Sequence, residues 1–416
     1  MTYEINSLRS ARVYVEPAGS YAVDNSSTTG DFIDVPITEG FSMPGPAREM
    51  LDPMLAQVRI DGRAERVAGK RSAAMQLAML LASHGVDMVG NETQPAATTW
   101  ALRRLLTATL GGVSLTGTEA AATTVQAGTT STVVNVSTGH GDRWTANSVI
   151  VCQVGSTLEA REVLSVSSDA VSVKQAFSAT PTSSSNVRGG VTFYPAEDPD
   201  TSLQFLLQGR ETADHFLARG MQGGFQIECK PGQLAKVTFD LKGAACTKLS
   251  DHSGINVPSH ANWSPVAVVA SELTVPTVGS TTRNRVLASD FSLQLAVAYE
   301  PVTGYTLDGE TIVRMRRQRP RDGVLVRGTF TVPYEDATWI TARDDREDRA
   351  IFMQVGASAG AGWLIAIPTV QITEVARAAS ASGISGQTVT FESRLDSSAA
   401  ASTTERSYAA FRLHAW

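Results

Sequence analysis

The stretch Gly224–Gly243, GFQIECKPGQLAKVTFDLKG, decides the fold class. Phe225, Ile227 and Cys229 fall on one face of an extended chain, with Gln226, Glu228 and Lys230 on the other. Beyond Pro231-Gly232, Ala235, Val237, Phe239 and Leu241 alternate with Lys236, Thr238, Asp240 and Lys242. Period two on both sides of a Pro-Gly turn predicts an antiparallel hairpin with one buried face. Phe291–Val297 and Val324–Val332 repeat the pattern across a longer connection. Hairpins of this kind build a β-sandwich, and none of these residues suggests catalysis.

Composition narrows the function classes. A chain of 416 residues has room for two domains or more. Its 18 % of charged residues is low for a globular chain, and Thr, Ser, Ala, Val and Gly fill the difference, which suits many strands and turns. The formal net charge of −6 argues against nucleic-acid binding through general basicity. Cys152, Cys229 and Cys246 are widely spaced and odd in number, with no CxxC or Cys-His spacing, so buried free thiols are expected rather than a disulfide or zinc framework. The N-terminus has no apolar signal-like core, and the run Met75–Ala82 is far too short for a bilayer span. The expectation is a soluble chain, folded in a reducing cytoplasm, with no cofactor, no metal and no membrane partner.

Taken in order, Arg12–Glu16 and Asp31–Val35 read as strands around a turn-rich loop. Pro36, Pro44, Pro46 and Pro53 mark an extended segment suited to edges or loops. Over Arg63–Leu81 the alternation permits a strand and the Ala, Met and Leu content permits a helix; Gly69 and the preceding turn favour the strand. Thr98–Leu110 is a clear amphipathic helix, stopped by Gly111-Gly112. Short Thr/Ser/Val strands between 113 and 195 read as a small inserted β-domain, with 182–186 as a flexible rim. The flanking 1–112 and 196–416 form the main fold. Ser202–Gln208 returns to it as a buried strand, and 211–222 reads as an irregular or helical link into the hairpin. Thr247–Arg285 shows little periodicity. The chain closes with strands at Gly362–Ile367, Val370–Val375, Gln387–Leu395 and Phe411–Trp416.

Few motifs carry chemistry. SAGAGW at Ser358–Trp363 lacks the lysine and helix of a phosphate-binding loop, so it reads as a turn. Gly139-His140-Gly141-Asp142 hints at a metal or catalytic pair, but the six histidines are scattered and none has ligand spacing. Arg343–Arg349 carries the acids Asp344, Asp345, Glu347 and Asp348, whose interleaved arginines suit a solvated ion-pair network better than a metal site. Arg314, Arg316, Arg317, Arg319 and Arg321 form a second cluster without the interleaved aromatics of a nucleic-acid platform. An inter-subunit patch is the preferred account of these arginines, with the acids of Arg343–Arg349 on another copy as candidate partners. No residue is assigned a catalytic role.

The ordered features resemble the tail tube proteins of long-tailed, non-contractile bacteriophages. The resemblance rests on VEPAGSY (Val15–Tyr21), FIDVPITEGF (Phe32–Phe41), GRAERVAGKRSAAMQLAML (Gly62–Leu80) and LRRLLTATLGG (Leu102–Gly112). It continues through the Phe225–Gly243 hairpin, GVLVRGTFTVPYED (Gly323–Asp336), GWLIAIPTVQITEV (Gly362–Val375) and SGQTVTFESRL (Ser385–Leu395). It covers most of 11–112 and 200–416; the 113–195 insertion exceeds a minimal tube subunit.

What the resemblance implies is a mainly β, antiparallel sandwich with a flanking helix, assembling into stacked hexameric rings of a virion tail. The lumen would conduct phage DNA without specific binding, and tape measure and tail-terminator proteins would be partners. The chain would be assembled in the host cytoplasm. A tail-tip ring subunit, another minor tail protein or a head decoration protein is the alternative. A carbohydrate-binding or glycan-hydrolysing β-protein ranks lower, because aromatics are 6 % of the chain and mostly at core-like positions.

Overall fold

A computed structural model describes residues 10–16, 32–35, 37–38, 47–51, 67–83, 101–114, 123–196, 201–208, 215–249, 264–265, 268, 271–295, 298–303, 312–318, 325–334, 336–358, 361–379, 385–394, 406 and 409–416. The fold is mainly β and antiparallel, with two α-helices among the described residues.

In chain order the first strands are β1 (Ser10–Glu16), β2 (Ile33–Val35), β3 (Ala47–Leu51), β4 (Val67–Leu80) and β5 (Ala82–Ser83). Helix α1 (Ala101–Leu110) leads directly into β6 (Gly111–Ser114). The next group is β7 (Thr123–Thr124), β8 (Val133–Asn135), β9 (Val149–Val154), β10 (Thr157–Ser167), β11 (Ala170–Val173) and β12 (Asn186–Arg188). Then come β13 (Val191–Pro195), β14 (Ser202–Gln208), β15 (His215–Cys229), β16 (Lys236–Gly243) and β17 (Ala245–Leu249). β18 (Ser264–Pro265), β19 (Ser271–Thr274), β20 (Arg285–Val286), β21 (Asp290–Leu295), β22 (Ala298–Thr303), β23 (Ile312–Gln318) and β24 (Val326–Val332) follow. Helix α2 (Ala337–Asp344) and strands β25 (Asp348–Ser358), β26 (Ala361–Ala379), β27 (Ser385–Ser393) and β28 (Arg412–Ala415) complete the fold.

The deciding hairpin forms as its alternation predicts. Phe225 faces Phe239 and Ile227 faces Val237 across β15 and β16, and these four side chains are buried. The two phenyl rings stand 5.8 Å apart, a cross-strand aromatic pair. Around the hairpin runs a seven-strand antiparallel layer in the order β4-β16-β15-β21-β24-β27-β26. A second layer, β19-β25-β26-β28-β13-β6, uses the first half of β26. One hydrophobic core joins the two, including Phe225, Phe239, Phe291, Phe330, Trp363 and Phe391.

Two long strands turn the sheet. β15 pairs with β14 and β17 along 215–221, then with β16 and β21 along 222–229. Gly220 supplies the bend with φ 64°, a conformation that L side chains rarely adopt. The irregular or helical link expected over 211–222 is therefore incorrect from His215 onward: it is strand, and the Gly220, Gly223 and Gly224 positions interrupt its alternation. β26 likewise passes Pro368 without ending, because the ladder with β25 shifts register there, between Arg349 and Ile351.

Other expectations resolve residue by residue. Residues 67–80 are strand β4. Gly111, at φ 85°, ends α1 in the left-handed conformation. The stretch 247–285 contains β18 and β19 as well as the end of β17, so it is partly ordered ladder rather than one long loop. Residues 98–100, 57–60 and most of 36–46 lie outside the described residues.

The insertion is smaller than 113–195. β6 and β13 pair with each other within the large sheet, so they belong to the sandwich. The separate six-strand sheet, β7-β12-β9-β10-β11-β8, spans 123–188 and has its own core of Val125, Val134, Trp144, Ile150, Cys152, Val163 and Phe177. The Thr182–Asn186 rim enters β12 through a turn in which Ser185 N donates to Thr182 O.

Candidate assembly surfaces and the ionic junction

The inserted module is docked, not tethered. Strand β28 alternates so that Leu413 and Ala415 enter the sandwich core while Arg412, His414 and Trp416 face the insert. β25 and β26 do the same, sending Ala350, Phe352, Leu364 and Ala366 against Val149, Val151 and Ala160 of β9 and β10. The second sheet layer is thus buried on both faces, and where both are apolar, along Trp363–Ile367, the strand reads as a continuous hydrophobic run.

Two clusters of buried charge cross this junction. In the first, Arg412 Nε donates to Glu162 Oε1, Arg412 Nη2 donates to Asn147 Oδ1 at 3.0 Å, and Lys174 Nζ lies 3.1 Å from Glu162 Oε2. Lys174 Nζ also donates to Asn147 Oδ1 at 2.6 Å. His414 Nε2 lies 3.7 Å from Glu162 Oε1, and its Nδ1 lies 3.0 Å from Thr192 Oγ1. Burial alone would raise the Glu162 carboxyl, but the Arg412 and Lys174 charges outweigh it and hold the group well below the usual carboxylate range. Burial lowers His414, against the pull of Glu162.

In the second cluster, Arg161 Nη2 pairs with Glu159 at 2.7 Å and Glu272 at 3.4 Å, and Arg283 Nε also donates to Glu272. Gln354 Oε1 accepts from Ala160 N at 3.0 Å, and Gln354 Nε2 donates to Leu158 O at 2.8 Å. The small cavity beside it, about 10 Å³ and lined by Arg161, Gln175, Glu272 and Thr274, is the size of one water molecule, not of an organic ligand.

The residues singled out from the sequence are placed differently. Arg314, Arg316 and Arg317 lie on β23, which pairs with β22 as a two-strand hairpin joining β21 to β24. Arg319 and Arg321 lie outside the described residues. Around α2 the acids already have local partners: Asp344 with Arg343, Glu347 with Arg349 and Asp348 with Arg394. Asp345 caps the helix end, its N–H donating to Thr341 O at 2.8 Å. These exposed or half-exposed pairs match the solvated network expected there.

His140 is structural as well. Its Nδ1 sits 2.7 Å from Thr123 Oγ1, and Asp169 Oδ1 accepts from the backbone N–H groups of His140 and Gly141. Among the described residues no group of three His, Cys, Asp or Glu side chains could hold a metal ion, and no helix is long and apolar enough to cross a membrane. The three cysteines are buried, and no disulfide joins them.

Sequence reasoning missed Glu159, Arg161, Glu162, Lys174, Arg412 and His414. Part of the signal was present: in FRLHAW, Arg412 and His414 alternate with Phe411, Leu413 and Ala415, and in TLEAREV, Glu159 and Arg161 alternate with Leu158 and Ala160, whereas Glu162 breaks that alternation and Lys174 lies outside both stretches. Alternation of this kind also fits a solvated face, and only the docked insert distinguishes the two.

Two surfaces of the seven-strand layer stand out. Its outward face is polar, with Ser292, Thr329, Thr331, Thr388 and Thr390 at its centre; Ser292 and Thr329 hydroxyls lie 2.8 Å apart, and those of Thr331 and Thr388 lie 3.1 Å apart. Glu228, Asp240, Asp290, Glu374 and Glu392 accompany Lys236, Lys242 and Arg327 on that face, and exposed Lys230 continues it just past the end of β15. One end of the same layer carries exposed Leu234, Leu287, Tyr334 and Ile340 in the β15–β16 turn, before β21, after β24 and on α2. At its lateral limits, β4 along 73–80 and β26 beyond Gln371 each have one strand neighbour among the described residues.

No protein-family model matches the chain, and no curated protein matches it.

Proposed function

We propose that the protein is a structural virion subunit, a tail tube protein whose copies join side by side into rings that stack around a DNA-conducting channel. The observation that carries this reading is the seven-strand layer whose strand at each lateral limit has, among the described residues, one strand neighbour. Joining β4 of one copy to the second half of β26 of the next is a heterologous contact, which closes into a ring when the rotation between copies permits. Closure would also give a second strand neighbour to edges that have one among the described residues, β4 carrying besides it a hydrogen bond from Thr38 N to Ala78 O.

The polar face of that layer suits a channel wall. Hydroxyls and amides with a small excess of carboxylates offer a phosphate backbone no fixed cation array, so DNA slides instead of sticking. The apolar end with Leu234, Leu287, Tyr334 and Ile340 is where the next ring would sit, covered by another copy of this chain. Tape measure and tail-terminator proteins are the partners that this role brings with it.

Carbohydrate binding is disfavoured by one observation: Tyr334 is the sole aromatic among the exposed large hydrophobic side chains of the described residues, so no aromatic platform is formed there. A tail-tip ring subunit uses the same lateral contact without stacking.

Cysteine cross-linking tests the contact. Gln76→Cys is combined in turn with cysteines placed along 373–379 and oxidised. A ladder of covalent multimers ending at a fixed number supports a closed ring. Monomers at every position contradict lateral joining through these strands.

A further inference from the structure

We infer that Glu162, Arg412 and His414 form an acid-sensitive latch that holds the inserted module, residues 123–188, on the sandwich. The inference is independent of the tail tube reading, since it concerns one chain.

The geometry is an enclosed ionic cluster. Facing His414 are Glu162 from β10, Lys174 from the segment after β11 and Arg412 from its own strand; Asn147, before β9, and Thr192, on β13, complete the surroundings with neutral groups. The Glu162, Arg412 and His414 side chains are fully enclosed. With the imidazole neutral, two cations share one carboxylate, Arg412 hydrogen-bonded to Oε1 and Lys174 Nζ 3.1 Å from Oε2. A proton on His414 makes three cations around one carboxylate, and of these groups only Lys174, with 18 % of its side chain exposed, reaches water to spread the charge.

The sign follows from the shifts. Burial keeps the docked His414 below its ordinary value of 6.5. Undocking returns it to water and to that value, so the undocked state binds the extra proton first. Docking is at full strength above about pH 6.5 and weakens as the pH falls below it. Glu162 acts in the same direction at lower pH: its docked carboxyl lies well below 4.5, so the undocked form takes up a proton first as the pH falls through that value. The second cluster, around Arg161, contains no histidine. Release therefore begins at the β28 side of the junction, and the Arg161 side remains as the pivot.

Hydrogen exchange on the full chain, corrected for intrinsic rates, tests this at pH 7.5 and pH 5.0. Wild type should exchange several-fold faster at pH 5.0 along 149–163 and 412–416, because the undocked state takes up the proton that the docked His414 resists, while 225–241 stays unchanged. His414→Gln should abolish the difference. Equal protection of the wild type at both pH values overturns the latch, and so does an identical pH response in the variant. Should the variant fail to fold, the wild-type ring titration followed by NMR decides: a neutral His414 imidazole at pH 6.5 agrees, and a charged one contradicts.

Discussion

Glu162 and Arg412, 250 residues apart in the chain, form an ion pair in which neither side chain reaches solvent. One sits on the inserted module and the other on the last strand of the sandwich. The pair makes the module part of the fold rather than an appendage.

Breaking that pair should be costly. Glu162→Ala strands Arg412 and Lys174 together without an anion, and loss of one partner of a buried pair typically costs ~3–5 kcal/mol. The same change at Glu392, whose pair with Arg327 is partly exposed, should cost ~0–1 kcal/mol. Urea denaturation of both variants checks the contrast. Similar losses at the two positions would mean that the junction is not closed to water.

The junction is also where the sequence was least legible. Period two announced the β15–β16 hairpin because its two faces meet different surroundings, core and solvent. The strand ending at Trp416 has the same alternation, yet both faces are buried, one against leucine-rich core and one against paired charge. Pattern alone carries no record of that second burial. The insert boundary was misplaced for a related reason: Val113-Ser114 of β6 and Val191-Thr192 of β13 resemble the Thr/Ser/Val strands of the module, and only their pairing assigns them to the sandwich. The arginines of β23 were legible as a cluster, but the acids expected to meet them in another copy have local partners in Arg343, Arg349 and Arg394.

The thiols should be inert in the folded chain. Burial pushes Cys229 up to about 12 and Cys246 up to about 11, and raises Cys152 as well. At pH 8 the reactive thiolate is therefore scarce and shielded. Iodoacetamide should label none of the three in native protein and all three in denaturant, as read by mass spectrometry. Rapid native labelling of Cys152 would show that the module core opens.

At the apolar end of the seven-strand layer, Leu287 is 60 % exposed. Replacing Leu234 and Leu287 by Asp should change monomer stability by no more than ~0.5 kcal/mol each, the usual range for open surface sites. Growth of long assemblies should stop at the ring. Sedimentation of the double variant, compared with wild type, reads this outcome; unchanged long assemblies would remove the apolar end from the stacking contact.

The β22–β23 hairpin gives a further expectation. A single arginine substitution should do little, since exposed pairs contribute ~0–1 kcal/mol. Arg314, Arg316 and Arg317 replaced together by Glu should block assembly and leave the monomer folded, and wild-type assemblies should loosen between 0.1 M and 1 M salt as screening shortens from ~10 Å to ~3 Å. Circular dichroism and sedimentation follow the two properties separately. Normal assembly of the triple variant would take the cluster out of the subunit contact.

Electron microscopy of the purified full-length protein in negative stain, over rising concentration at low salt, tests the central claim most directly. The expected images show rings with an open centre that stack into tubes of constant width. A population of single particles at every concentration, with neither rings nor tubes, would contradict the proposal that this chain is a tail tube subunit.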